Sequence, residues 1–199
     1  VSAGSPVQSD ALAKSQGLVM PISLPEAIQT RSLTLRKPDA ADAKHIFKAY
    51  TQDLDVARYL VWRPHQSIGE TEAFILNCMQ GWASGQRRPF ILTRRENSRI
   101  PIGMLEARIL PNAIDLGYVL QRSYWGAGLM TEAILALSDA ALSLPECSRV
   151  QATCDTENHA SARVLEKAGF TREGQLERHS VLPNLGPEPR ASFMYARSR

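Results

Sequence analysis

Apolar positions alternate with polar ones at Leu33 and Leu35, then change to helical spacing at Ala43, Ile46, Phe47 and Tyr50. A period of two giving way to one of 3.6 predicts a strand followed by a helix, with Asp39 placed to cap it. Ser67 and Glu70 stand at capping-box spacing. Behind them Phe74, Ile75, Cys78 and Trp82 recur at helical intervals up to Gly85, which predicts a second helix between Ser67 and Gly85. The stretch from Tyr59 to His65 between these helices is aromatic and basic around Pro64 and reads as a loop suited to lining a pocket.

Three extended segments follow, Pro89 to Arg94, Ile100 to Leu110 and Ala113 to Leu120. The short polar turns between them, at Glu96-Asn97-Ser98 and Pro111-Asn112, favour antiparallel neighbours and hence a meander. After a glycine turn, Ile134, Leu137, Ala141 and Leu144 mark a helical stripe. Arg149 to Asp155 reads as a strand, and Asn158 to Ala168 as a helix closed by Gly169. Strand, helix, strand in that order implies a crossover connection. Polar strand-like stretches at Glu173 to Ser180 and Ser192 to Ala196, joined by a proline-rich loop, predict a closing hairpin.

Residues 1–30, rich in Ser, Ala, Pro and Gln without firm periodicity, read as a flexible N-terminal tail, and 31–199 as one domain. A chain of 199 residues with 44% hydrophobic content is enough for one sizeable core. The three cysteines are an odd number without CxxC spacing, so packed thiols in a reducing compartment are expected, with no metal. A net charge of +3 without a dense Lys/Arg run argues against nucleic acid as partner. No apolar stretch approaches the length of a membrane span, and cytoplasmic residence is the expectation.

Chemistry concentrates in the run Ser123-Tyr124-Trp125-Gly126-Ala127-Gly128-Leu129-Met130-Thr131-Glu132-Ala133, which joins an extended segment to a helix through glycines. Amides at a helix start carry partial positive charge and lack partners, so this junction is expected to cradle a diphosphate. No Lys-Ser/Thr pair follows the glycines, which argues against a nucleotide-hydrolysing P-loop.

Two blocks then carry a family resemblance. They are Asp115-Leu116-Gly117-Tyr118-Val119-Leu120 leading into Trp125-Gly126-Ala127-Gly128-Leu129-Met130-Thr131-Glu132-Ala133, and Asn158-His159-Ala160-Ser161-Ala162-Arg163-Val164-Leu165-Glu166-Lys167-Ala168-Gly169-Phe170. From about Leu33 to Arg197 the chain resembles the GNAT superfamily of N-acetyltransferases, in its RimJ/RimL-like branch. The resemblance implies a mixed α/β fold: a twisted, mostly antiparallel sheet of six to seven strands, splayed in the middle, with helices on both faces. It implies acetyl-CoA as cofactor and a primary amine, on a small molecule or a peptide N-terminus, as acceptor. Dimers are common in the family, so a homodimer is among the expectations. Ser123 stands where the family motif usually has Gln or Arg, which matters little because backbone amides supply most phosphate contacts.

By the same resemblance, Trp125, Gly126, Ala127, Gly128, Leu129 and Thr131 hold the diphosphate end of coenzyme A. The backbone of Val119 and Leu120 grips the pantetheine arm. Asn158, which on its own reads as the cap of its helix, also reaches the cofactor by the resemblance, and Ser161 lies near the sulfur to protonate the departing thiolate. An attacking amine must be neutral, so a carboxylate or ordered water is needed. Glu106 is the preferred carboxylate and Asp115 its competitor. Trp62, Arg63 and His65 are expected to shape the acceptor pocket, whereas His45 and His159 read as solvated. Direct attack in a ternary complex is expected; a coenzyme A-binding module without chemistry is the alternative.

Overall fold

The computed structural model describes residues 22–199. Residues 1–21, most of the expected tail, lie outside the described residues. The sheet begins inside the remainder of that segment. Strand β1 (Ala27–Gln29) pairs antiparallel with β2 (Leu33–Arg36), and Ile22 and Leu24 are buried in the main core. A three-residue strand is held by backbone hydrogen bonds and is too short to show alternation, so side-chain pattern carries no signal for it.

Among the described residues eight strands result rather than six or seven, in the order β1-β2-β3-β4-β5-β6-β8-β7. The remaining six are β3 (Arg87–Arg94), β4 (Asn97–Leu110), β5 (Ala113–Leu120), β6 (Arg149–Asp155), β7 (Thr171–Val181) and β8 (Pro189–Ser198). The expected meander is β3 to β5, and the closing hairpin is β7 with β8. Every neighbouring pair is antiparallel except β5 with β6.

Helices cover both faces because the strands alternate. Phe90, Leu92, Leu105 and Ala107 turn to the main core, shared with α4 (Leu129–Leu142) and α5 (His159–Lys167). Ile91 and Met104 turn the other way, onto α1 (Asp42–Ile46) and α3 (Ile68–Ser84). Helix α3 starts as expected, with Ser67 Oγ accepting from Glu70 N–H, and ends at Gly85, whose φ of 76° is left-handed. Its buried stripe is Thr71, Ile75, Cys78 and Gly81.

The first helix differs from expectation. It is α-helical only through Ile46 and widens into a π-helix over Phe47–Thr51. Asp39 holds the turn just ahead of it, its Oδ1 accepting from the N–H of Ala41, the N-cap residue, at 2.8 Å. Asp42 accepts from the Asp39 amide at 2.8 Å, and the Arg36 guanidinium clamps the Asp42 carboxylate with bonds of 2.9 and 2.6 Å. A short helix α2 (Leu54–Ala57), capped by Asp53, follows and leads into the loop at Tyr59 to His65.

Candidate active site

Strands β5 and β6 run in parallel register only from Ala113↔Arg149 to Leu116↔Ala152. Beyond that they part, and the gap between Gly117–Leu120 and Thr153–Asp155 opens into a cleft of about 660 Å³. Gly117 marks the divergence, and its missing side chain leaves space that the Arg108 guanidinium occupies.

One end of the cleft is the glycine turn and the start of α4. Gly126 and Gly128 hold φ of 76° and 75°, conformations that an L side chain adopts only with strain. A Cβ on either would meet nothing within 4 Å, so the glycines keep the backbone uncovered rather than relieve a clash. Gly128 is the N-cap of α4 and supplies no side-chain hydrogen bond, leaving the first amides to a ligand. The single acidic residue of that first turn, Glu132, is drawn away: its carboxylate accepts from Ser32 N–H at 2.7 Å. Burial pushes the Glu132 carboxyl up, but hydrogen bonds from Thr30 and Ser32 outweigh this and hold it below the usual range. An uncapped, unneutralised α-helix start beside two glycines suits a diphosphate.

The middle of the cleft holds a hydroxyl pair. Tyr118, on β5, places its Oη 2.6 Å from Ser161 Oγ in the first turn of α5. Asn158 caps that helix, its Oδ1 accepting from Ser161 N–H at 3.1 Å. Cys154 faces the same space from β6. Burial pushes its thiol up to about 11, with the Ser161 hydrogen bond pulling the other way and the charges of Asp155 and Glu166 adding to the rise. At neutral pH it is therefore a thiol, a weak nucleophile.

At the far end the walls come from Arg58 to Val61, Ser180, Leu182 and Ser192. The Asp155 side chain is fully buried at the end of β6 and bonds Arg190 at 2.7 and 3.2 Å, along with Glu157 N–H at 2.9 Å. Burial alone would raise its carboxyl; the Arg190 and Glu157 hydrogen bonds and the Arg190 charge hold it below the usual range. A carboxyl lowered in the fold contributes stability above its unfolded pKa of about 3.9 and loses it as pH falls through the folded value. Asp155→Asn should lower Tm at neutral pH, with the deficit shrinking on acidification, as a Tm-against-pH series checks.

Of the residues singled out from sequence, Val119, Leu120, Trp125, Gly126, Gly128, Leu129, Thr131, Asn158 and Ser161 meet in this one cleft, with Ala127 between the two glycines. The Leu120 carbonyl already accepts from Trp125 Nε1–H at 2.7 Å, tying the end of β5 to the glycine turn. Five others are placed elsewhere. Glu106 does not line the cleft; Arg87 and Arg108 bind its two carboxylate oxygens at 2.7 and 3.1 Å. Its competitor Asp115 is likewise held by Arg108, at 2.6 and 2.8 Å.

His65 turns into the protein, its Nδ1 2.7 Å from Thr71 Oγ1 and its ring packed against Trp62 and Phe74. Burial lowers its pKa, against the raising effect of Glu70. Trp62 and Arg63 also lie outside the lining, so the loop reaches the cleft through the four residues before them. Sequence reasoning missed Tyr118, although it lies inside the quoted motif. It also missed Asp155, Ser180, Leu182 and Ser192, which carry no local signal and arrive through the β6–β8–β7 pairing.

Comparison with known proteins agrees with this geometry. Residues 32–171 match the family model described as an acetyltransferase (GNAT) domain. The uncharacterized N-acetyltransferase p20 of Bacillus licheniformis is 27% identical over 154 residues, 76% of this chain and 85% of that protein. The microcin C7 self-immunity acetyltransferase MccE, solved with acetyl-CoA and AMP, superposes with a TM-score of 0.79 at 19% identity, covering 90% of this chain and 99% of that one. RimL, the ribosomal L7/L12 α-N-protein acetyltransferase, solved with coenzyme A, gives 0.76 at 22% identity over 87% of this chain and 98% of that one. With its parted parallel strands, its bare helix start and a family match over most of its length, this chain belongs to the GNAT acetyltransferase family and is an N-acetyltransferase whose acetyl donor is acetyl-CoA.

Proposed function

We propose that the amine and the thioester bind together in the cleft and react by direct attack, without an acyl-enzyme. The observation that carries this reading is the loss of β5–β6 register beside the uncapped start of α4. A diphosphate at Gly126 and Gly128 directs the rest of the carrier into the gap, where its arm fills an otherwise unpaired stretch of sheet. Val119 and Leu120 hold the arm through their backbone. A preplaced amide at this point also meets the charge developing on the thioester oxygen as the nitrogen attacks. Ser161 serves the leaving sulfur, and Asn158 holds Ser161 in place through the helix cap. Trp125, Leu129 and Thr131 flank the diphosphate.

The acceptor is a primary amine, of a small molecule or a peptide N-terminus, entering between the Arg58–Val61 loop and the β7–β8 end. Amines with pKa about 8 to 10 are largely protonated at neutral pH, so the nitrogen must lose a proton first. With Glu106 and Asp115 both engaged by arginines, ordered water in the cleft takes that proton. Glu106 acts at one remove by holding Arg108, which reaches the cleft wall. Among the described residues no helix is long and apolar enough to cross a membrane. The buried, unpaired cysteines accord with a reducing compartment such as the cytoplasm.

Thiol release from acetyl-CoA over a panel of small amines and N-terminal peptides tests the reading and names the acceptor. Acetylation of any member supports it; coenzyme A binding with no turnover on any would mark a binding module instead. Light scattering on the same samples reads the expected homodimer. Cys154→Ala should keep activity within about twofold, and the intact mass of the wild-type protein after acetyl-CoA should show no acetyl group on the enzyme. A covalent mechanism requires the opposite on both counts.

A further inference from the structure

We propose that Tyr118 is a positioning residue that orients the Ser161 hydroxyl toward the sulfur of coenzyme A. The inference rests on the placement of acetyl-CoA given above and names a residue that placement does not use.

Two oxygens 2.6 Å apart share one hydrogen. A phenol, with an ordinary pKa of about 10, is far more acidic than an alkanol and is the better donor of the two. Burial keeps the Tyr118 phenol protonated well above its ordinary range, against a lowering from the Ser161 hydrogen bond, so it remains a donor at any working pH. The Ser161 carbonyl is a poorer target at 3.5 Å. Tyr118 therefore donates to Ser161 Oγ, which leaves the serine hydrogen for the cleft side, where Cys154 is its other neighbour. Neither residue is free to drift: Tyr118 stands in register with Leu105 of β4, and Ser161 N–H is fixed to Asn158.

During transfer the C–N bond forms and the C–S bond breaks, with the electron pair leaving on sulfur. The amine gives up one proton and the thiolate takes one up, so the overall balance closes. A serine that already accepts a hydrogen bond donates a stronger one to the developing thiolate. Without Tyr118, the serine hydrogen is free to turn to the phenol position or to its own helix backbone.

Tyr118→Phe keeps the ring and removes the hydroxyl. The readout that needs no acceptor is the thiol of bound coenzyme A, titrated by thiolate ultraviolet absorbance. Its pKa should rise by roughly one unit in Tyr118→Phe, the worth of one hydrogen bond to a charged group. Affinity for coenzyme A below about pH 6, where the thiol is protonated, should stay unchanged. Ser161→Ala should give a similar shift, and the double variant no further one. With an acceptor in hand, kcat should fall about tenfold at constant KM for acetyl-CoA. Coincident titrations of wild type and Tyr118→Phe, or additive shifts in the double variant, overturn the role of Tyr118 while leaving the cofactor placement standing. Failure of the wild-type protein to bind coenzyme A overturns both.

Discussion

Gly128→Asp should weaken coenzyme A binding at least about 100-fold while costing the fold only about 1–2 kcal/mol. Gly128 sits at φ 75° as the N-cap of α4, with no side-chain bond to the helix and open space where a Cβ would go. Strain from a left-handed L residue costs about 1–2 kcal/mol. An aspartate on this left-handed backbone does not take the extended conformation from which a side chain caps a helix, so capping does not offset the strain. The carboxylate would stand in the open space beside the turn and repel the diphosphate. We expect Kd for coenzyme A to rise at least about 100-fold, equivalent to roughly 2.7 kcal/mol, with Tm lower by only about 2–8 °C. Calorimetry and a melting curve on the same sample separate the two effects. Undiminished binding would move the diphosphate away from this turn and remove the basis of the functional reading.

The second large effect falls at a glycine that no motif marks. Gly103 of β4 pairs with Leu120 of β5, and a Cβ on it would lie 2.5 Å from the Val119 carbonyl oxygen and 3.2 Å from Leu120 Cα. Both are backbone atoms and cannot turn aside. Gly103→Ala must push β4 and β5 apart at the end of β5, where the strand forms the cleft wall. Overpacking of this kind costs about 1–3 kcal/mol in stability. A displacement near 1 Å of positioned groups costs about 100-fold in rate, so the loss in acetyl transfer should exceed the loss in stability. Gly174→Ala is the control: Gly174 lies on β7 with nothing within 4 Å of its Cβ position, and it should behave as wild type in both assays. A Gly103→Ala protein with normal stability and turnover would show that the β4–β5 contact does not set the cleft.

The elements that could be read from sequence are those whose signal is local. Strand β6 spans Arg149–Asp155 as its alternation of polar and apolar residues implies, and α3 lies between the Ser67 cap and Gly85 because cap and terminator are short-range hydrogen-bond chemistry. The glycine turn proposed to hold the diphosphate is legible for the same reason. Gly126, Gly128 and the helix behind them form a contiguous device whose function resides in the backbone. Asn158 and Ser161 were legible as a cap and its partner three residues on.

What the sequence by itself determined is therefore the succession of strands and helices, the glycine turn at the start of α4 and, through its two motif blocks, the family. Only the tertiary structure decided what faces the cleft. Side chains on one strand face can be counted from sequence, but their partners come from strands far away in the chain. Glu106 is turned from a candidate base into the partner of Arg87, 19 residues away, and Asp155 is silenced by Arg190, 35 residues away. Tyr118 meets Ser161 across 43 residues, because β5 and α5 are brought together by the crossover through α4 and β6. Alternation says only that a residue points up or down; which charge neutralises it, and whether a cleft lies above it, depends on packing that no local pattern encodes.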